Sequence, residues 1–451
     1  MRVGFEASDL FPGRGGLYTY ASELLRHLDE VADPPALTLL DGYGRHSLRQ
    51  LLQANNGVLP TTRYLRARPW PLLSSGDGPW RRSYYGRHAA ALIDRYALEP
   101  LWRRADGIPA LARWHLPGGL FPPLDVCHWP FEEVFVRLPA MAHVATIHDL
   151  IVLRYPQWLT PRYVEEHTTN LTTIARYATR LIADSESTRR DIVALLDVPS
   201  ERIDVVPLAA GAEFAPPSPS DRTRHDDVLA RYGLREGDYV LSWGIISERK
   251  NVVRLATAFK RVIESNPGLT TRLVLAGGWG WMAEPIQQGL AALGLGERLI
   301  MPGRVPREDL PSLIQGARAV AYPSLYEGFG LPPLEAMACG TPVVASNISS
   351  VPEVVGDAAL LVAPYSVEDI AAALERALTD DALRAELAAR GPRRAVLLAQ
   401  DRRPHHADLP ARRRVTTAGT DRTAIDASRH GVEDTGLDRQ ARPRHPRFQR
   451  A

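Results

Sequence analysis

The chain has 451 residues, which suits two domains of ordinary size, and its 54 basic and 52 acidic residues leave a net charge of +2. So even a balance gives no bulk electrostatic basis for nucleic-acid binding. Two cysteines, Cys127 and Cys339, offer neither a disulfide framework nor a metal-ligand spacing, and no apolar run is long enough to cross a bilayer.

In chain order, the amino terminus MRVGFEASDLF lacks the apolar run of a signal peptide. Gly15 and Gly16 then precede a helical stretch. Adjacent glycines there are compatible with a flexible turn, or with close backbone approach to a phosphate. Between Arg63 and Arg104 lies a segment rich in arginine and aromatics, with Trp70, Trp80, Arg81, Arg82, Tyr84, Tyr85 and Trp102. It reads equally as a surface for an anionic membrane and as an amphipathic face with aromatics lining a cleft. Short apolar strands such as Val144–Ile147 and Leu181–Ala183 alternate with helical stretches up to Pro207, the pattern of a helix-covered parallel sheet. His148 and Asp149 close the first of these strands.

Residues 209–227, with the run APPSPSDRTRHDD, read as a linker. Strands resume at Tyr239–Trp243 and Arg272–Ala276, which predicts a second doubly wound domain. Arg249 and Lys250 follow the first of these strands and precede a helix that Asn251 could cap. Gly277, Gly278 and Gly280 read mainly as the loop after the second strand and do not have the spacing of a dinucleotide fingerprint. Ala319–Pro323 predicts a buried strand, Gly328 and Gly330 a tight turn, and Pro332 and Pro333 the first turn of a helix running to about Cys339. The free N–H groups of that helix start would face whatever fills the turn. Glu327 stands on the turn and Glu335 one turn into the helix, eight positions on. One carboxylate could accept from sugar hydroxyls, the other from the diol of a ribose. Two solvated glutamates would give the same spacing.

These motifs together resemble the retaining glycosyltransferases of the GT-B fold, family four in the sequence classification, whose signature is two glutamates separated by seven residues. GGLYTYASELLRHL from Gly15, DVCHWP from Asp125, ATIHDLIVLRYP from Ala145, IADSESTRRDI from Ile182, VVPLAAGAEF from Val205 and SWGIISERKN from Ser242 follow in the family's order, so the resemblance spans roughly 1–390. It implies an α/β architecture of two Rossmann-like domains facing across a cleft, an acceptor domain at 1–208 and a nucleotide-sugar domain at 228–392. It also implies roles. Glu327, His148 and Lys250 would be catalytic, with Glu327 orienting the sugar, His148 contacting it and Lys250 stabilising the departing diphosphate. Arg249, Gly15, Gly16, Gly328, Phe329, Gly330, Leu331 and Glu335 would bind the donor, with Asp149 a weaker candidate beside His148. Where the family often carries an arginine after the strand glycine, Ile245 follows Gly244 here, which leaves open whether Arg249 shares the charge.

The elements TIHDLI, ADSEST and SERKN look most like mannosyltransferases using GDP-mannose. The resemblance therefore implies transfer to a glycan or lipid-linked acceptor in surface polysaccharide synthesis, without a metal or other cofactor, in the cytoplasm or peripherally at the inner face of the membrane. A sugar-nucleotide epimerase of related fold and a catalytically impaired nucleotide-sugar-binding protein are the alternatives. After about Arg393 the chain turns arginine-rich and aperiodic, and the Ser-Trp element and long closing helix usual in the family are not found. A frameshifted ending and a basic interaction tail both fit that segment.

Overall fold

The computed structural model describes residues 1–6, 16–28, 36–40, 63–65, 124–132, 135 and 141–400. Gly15, the aromatic stretch at 66–104 and the chain after 400 lie outside the described residues. Both sheets below belong to one compact unit, Met1–Arg403; the other unit, Pro404–Ala451, lies outside the described residues.

The first sheet consists of β1 (Arg2–Glu6), β2 (Ala36–Leu40), β3 (Arg63–Leu65), β4 (Val126–Trp129), β5 (Ala142–Ile147), β6 (Arg180–Ala183) and β7 (Ile203–Val205), in the spatial order β3-β2-β1-β4-β5-β6-β7. The second consists of β8 (Tyr239–Trp243), β9 (Arg272–Ala276), β10 (Leu299–Gly303), β11 (Ala319–Tyr322), β12 (Val343–Ser346) and β13 (Leu360–Val362), in the order β10-β9-β8-β11-β12-β13. Every strand pairing among the described residues is parallel. The order reverses between β1 and β4 in one sheet and between β8 and β11 in the other. Ligands of doubly wound sheets bind at such switch points, beyond the strands' carboxyl ends.

Side-chain alternation explains why the second sheet is buried on both faces. Tyr239, Leu241, Val274, Ala276, Val320 and Val343 join one apolar cluster, while their neighbours Val240, Leu273, Leu275, Ala319, Ala321 and Val344 join another. Successive residues point to opposite faces, so both clusters need helices over them. Leu310–Gln315, Leu331–Ala338 and Val351–Val355 contribute to the first, Val252–Ser265 and Val367–Thr379 to the second.

Three expectations need correction. The stretch 209–227 is more than a linker: Phe214 is buried in the second domain's core, and a helix, Arg222–Arg231, begins inside it. Asn251 stands at the start of helix Val252–Ser265 without capping it, because its left-handed backbone (φ 58°) sends its amide elsewhere, to the carbonyls of Pro323 at 2.9 Å and Pro364 at 2.6 Å. The ordered chain also continues past 393. A helix runs from Asp381 to Gln400 with Leu398 buried, and Gly391 lets it lie so close to Met337 that a Cβ there would stand 2.7 Å from the Met337 carbonyl oxygen.

Candidate donor site

The turn after β11 and the loop after β8 meet at the switch point of the second sheet. The Leu325 N–H donates to the Arg249 carbonyl at 2.8 Å, and the Asn251 amide described above fastens the loop to Pro323. Glu327, 6% exposed, stands at the centre. Lys250 Nζ donates to its Oε1 at 2.8 Å and an Arg249 guanidinium nitrogen to its Oε2 at 2.6 Å. Each carboxylate oxygen thus carries one cation. Burial opposes ionisation of Glu327, but Arg249 and Lys250 outweigh it and hold the carboxyl below its ordinary range. Burial also pulls Lys250 down to about 8 despite Glu327, while for Arg249 the carboxylates of Glu327 and Asp149 overcome burial and push it up. The Lys250 ammonium contacts the Tyr322 hydroxyl and lies 4.4 Å from its ring centre. Arg249 and Lys250 thus both pair with Glu327.

Helix Leu331–Ala338 begins at Gly330, whose φ of 118° suits glycine, with Pro332 and Pro333 in its first turn. Serines from the loop after β12 brace the turn: Ser349 and Ser350 donate to the Glu327 carbonyl at 2.5 and 2.9 Å, and Ser350 also to the Phe329 carbonyl at 2.6 Å. Phe329 anchors in the core and Leu331 packs against it. The glycines after β9 serve close packing, since a Cβ on Gly277 would fall 1.8 Å from the Gly244 carbonyl oxygen.

Glu335 is equally buried but in a different electrostatic setting. Its carboxylate faces Arg307 at 3.7 Å, a salt-bridge distance rather than a hydrogen bond, and Arg307 is engaged by Glu213 at 2.7 Å. Burial raises its pKa to about 7, with Arg307 opposing, Glu213 assisting and a hydrogen bond from Trp243 opposing. It is therefore a carboxyl poised between acid and carboxylate near neutrality, and an acceptor-only group just in its ionised form.

On the facing domain, His148 follows β5. Its Nδ1 lies 2.7 Å from Asp184 Oδ2 and its Nε2 2.9 Å from the Pro130 carbonyl, both acceptors. Burial disfavours the charged ring, yet Asp184, Glu132 and the Pro130 carbonyl outweigh it and lift the pKa to about 10. With both nitrogens donating, His148 is an imidazolium without a basic lone pair. Tyr20 meets it edge-on at 4.7 Å, and Gly16 opens the helix (Gly16–Leu28) that carries Tyr20.

The two halves touch at the turn itself. A Cβ on Gly328 would stand 1.9 Å from the His148 carbonyl oxygen, and Ser185 and Thr188 hydroxyls donate to the Gly328 carbonyl at 2.6 and 2.9 Å. Tyr326 inserts its hydroxyl between the domains, accepting from the Leu150 N–H at 3.1 Å and donating to Asp191 at 2.8 Å. Sequence reasoning brought Glu327, Lys250, Arg249 and His148 forward but missed Ser185, Thr188, Tyr326, Asp191 and Arg307. Ser185 alone carried a local signal, as the cap of helix Glu186–Leu196. Among the described residues, no group of three His, Cys, Asp or Glu side chains could hold a metal ion, and no helix is long and apolar enough to cross a membrane.

Residues 230–394 match the family described as "Glycosyl transferases group 1". The chain is 37% identical over 249 residues to the O-antigen chain mannosyltransferase B of Escherichia coli, which covers 55% of this chain and 64% of that protein. It is 33% identical over 252 residues to the serotype-specific mannosyltransferase WbdA of Escherichia coli, covering 54% of this chain and 30% of that one. The matches thus span less than two thirds of either relative. Among solved structures, Anabaena Alr3699/HepE in complex with UDP and glucose aligns with a TM-score of 0.58 at 18% identity, over 89% of this chain and 98% of that one. WaaG, a glycosyltransferase involved in lipopolysaccharide biosynthesis, gives 0.58 at 17% identity over the same shares. With the two parallel sheets, these likenesses establish the GT-B fold.

Proposed function

We propose that this chain, whose second domain is of glycosyltransferase group 1, is a retaining glycosyltransferase of family four. In this reading it moves mannose from GDP-mannose to a glycan or lipid-linked acceptor in surface polysaccharide synthesis, in the cytoplasm or at the inner face of the membrane. The observation that carries the reading is the buried cluster of Glu327, Arg249 and Lys250 at the switch point. Two cations and one carboxylate leave a net positive charge beside the positive end of helix Leu331–Ala338. A diphosphate gaining charge as the sugar bond breaks is stabilised by such a preorganised site. The mannosyltransferase relatives favour mannose.

In the proposed step the bond between the sugar's anomeric carbon and the diphosphate oxygen breaks, and an acceptor oxygen bonds to that carbon on the same face. The acceptor's proton passes to the departing phosphate. Lys250 and Arg249 take up the diphosphate charge where other transferases use a divalent ion. Glu327 accepts from the sugar hydroxyls and stabilises positive charge near the ring. Glu335, once ionised, grips the ribose diol. His148, already cationic with both ring N–H groups engaged, contacts the sugar and does not act as a base.

Binding and slow donor hydrolysis, measured over a panel of sugar nucleotides in EDTA and in magnesium, test the proposal. Selective binding of GDP-mannose with hydrolysis indifferent to EDTA is expected. Turnover lost in EDTA and restored by magnesium would overturn the metal-free mechanism, and no binding to any sugar nucleotide would overturn the donor site.

A further inference from the structure

Glu353 lies in helix Val351–Val355 of the second domain, yet its carboxylate serves the first. Glu186 N–H donates to its Oε2 and Ser187 N–H to its Oε1, each at 3.0 Å. Those amides open helix Glu186–Leu196 and have no partner within their own helix. Ser185 caps the next one, Thr188 N–H, at 3.0 Å. A side chain 166 positions away thus completes the cap of a helix across the domain boundary. A carboxylate is well suited to the task, since it supplies two charged acceptors to a positive helix end.

The same helix start holds the donor turn. Ser185 and Thr188, which Glu353 flanks, donate to the Gly328 carbonyl, while Ser349 and Ser350, just before the helix of Glu353, donate to the carbonyls of Glu327 and Phe329. The contacts close a ring that runs from the turn through Ser350 and Glu353 to the amides of Glu186 and Ser187, and back through Ser185 to Gly328. We propose that Glu353 is a positioning residue: by capping helix Glu186–Leu196 from the opposite domain, it fixes the register in which the turn bearing Glu327 meets His148. It touches no reacting atom. The kinetic consequence rests on the transferase reading, whereas the positional one does not.

The test uses Glu353→Ala and Glu353→Gln in the full chain, with hydrogen exchange followed at 186–190 and 325–331 and hydrolysis of GDP-mannose followed in parallel. Glu353→Ala is expected to speed exchange in both segments about tenfold and to lower kcat about tenfold with donor KM nearly unchanged, as loss of charge-assisted bonds would do. Glu353→Gln, which keeps one acceptor oxygen, should fall between. Faster exchange at 186–190 alone would reduce Glu353 to a helix cap and overturn the positioning role, as would unchanged exchange in both segments or wild-type kcat in Glu353→Ala. If the unaltered chain turns over no sugar nucleotide, the transferase reading fails. The exchange pattern then decides the positioning role by itself.

Discussion

Two groups of the site titrate far above their usual ranges, and both make predictions. Glu335 keeps its proton up to about 7 in the folded chain, whereas an unfolded glutamate loses it near the ordinary value of about 4.3. Between those values the folded state binds more protons than the unfolded one, so this group's contribution to stability falls as pH rises. Glu335→Gln should remove that decline, and thermal melts of variant and wild type should diverge in the variant's favour from pH 5 to pH 8. If the ionised form grips ribose, donor KM should also rise as pH drops below 7. His148 shows a linkage of the same sign in a higher pH window, since its folded pKa of about 10 lies above the ordinary histidine value of about 6.5. Its stabilising effect is fully present below about 6.5 and is lost as pH climbs through 10. Asp184→Asn removes the strongest support for the charge. The pH–rate profile of that variant should gain a falling limb in the ordinary histidine range that wild type lacks. Glu327→Ala deprives Arg249 and Lys250 of their shared partner and lets burial drive Lys250 further toward the neutral amine. Transfer should drop by at least about a hundredfold, the scale of losing an electrostatic stabiliser, and near-normal turnover would sink the assigned role.

At the level of the elements, the turn between β11 and helix Leu331–Ala338 uses two glycines for different reasons. Gly330 has a backbone conformation that a side chain strains, so Gly330→Ala should cost about 1–3 kcal/mol of stability, readable by denaturant titration. Gly328 is needed for clearance from the His148 carbonyl of the other domain. Gly328→Ala should therefore leave the melting of the second domain nearly unchanged while lowering kcat, because the added methyl separates the two halves of the site. Equal effects of the two substitutions on stability would contradict this division of labour. Local patterns made most of this turn readable, including the paired prolines at the helix start. The destination of the Asn251 side chain was not readable, since an N-cap position invites a local bond and only the approach of Pro323 and Pro364 diverts it.

For the whole molecule, the closing helix Asp381–Gln400 is the least expected feature. Gly391 and Pro392 read as helix breakers by local rules, and Pro392 nevertheless lies inside the helix. Packing overrides propensity here: Leu387 and Leu398 are buried, and Arg394 donates to the carbonyls of Val354 at 3.0 Å and Glu353 at 2.5 Å. Leu398→Ala should destabilise the chain by about 2–3 kcal/mol, as for other buried leucines, and truncation after Asp380 should lower the melting temperature far more by uncovering the surface around Met337. A truncated chain melting like the full one would show that this helix braces nothing.

Short-range physics, legible in the residues alone, accounts for two parallel α/β sheets from buried apolar strands, the glycine-proline turn with its helix, and the placement of Glu327, Lys250 and His148 beyond strand ends. Long-range packing sets the raised pKa of Glu335, the cationic state of His148, and the way Tyr326, Asp191 and Glu353 join the domains. Those outcomes depend on burial and on partners as far apart as the 135 positions from Asp191 to Tyr326 and the 167 from Glu186 to Glu353. A hydrogen bond across such a separation leaves no periodicity or spacing in the chain, because it is set by how two separately folded sheets come to face one another.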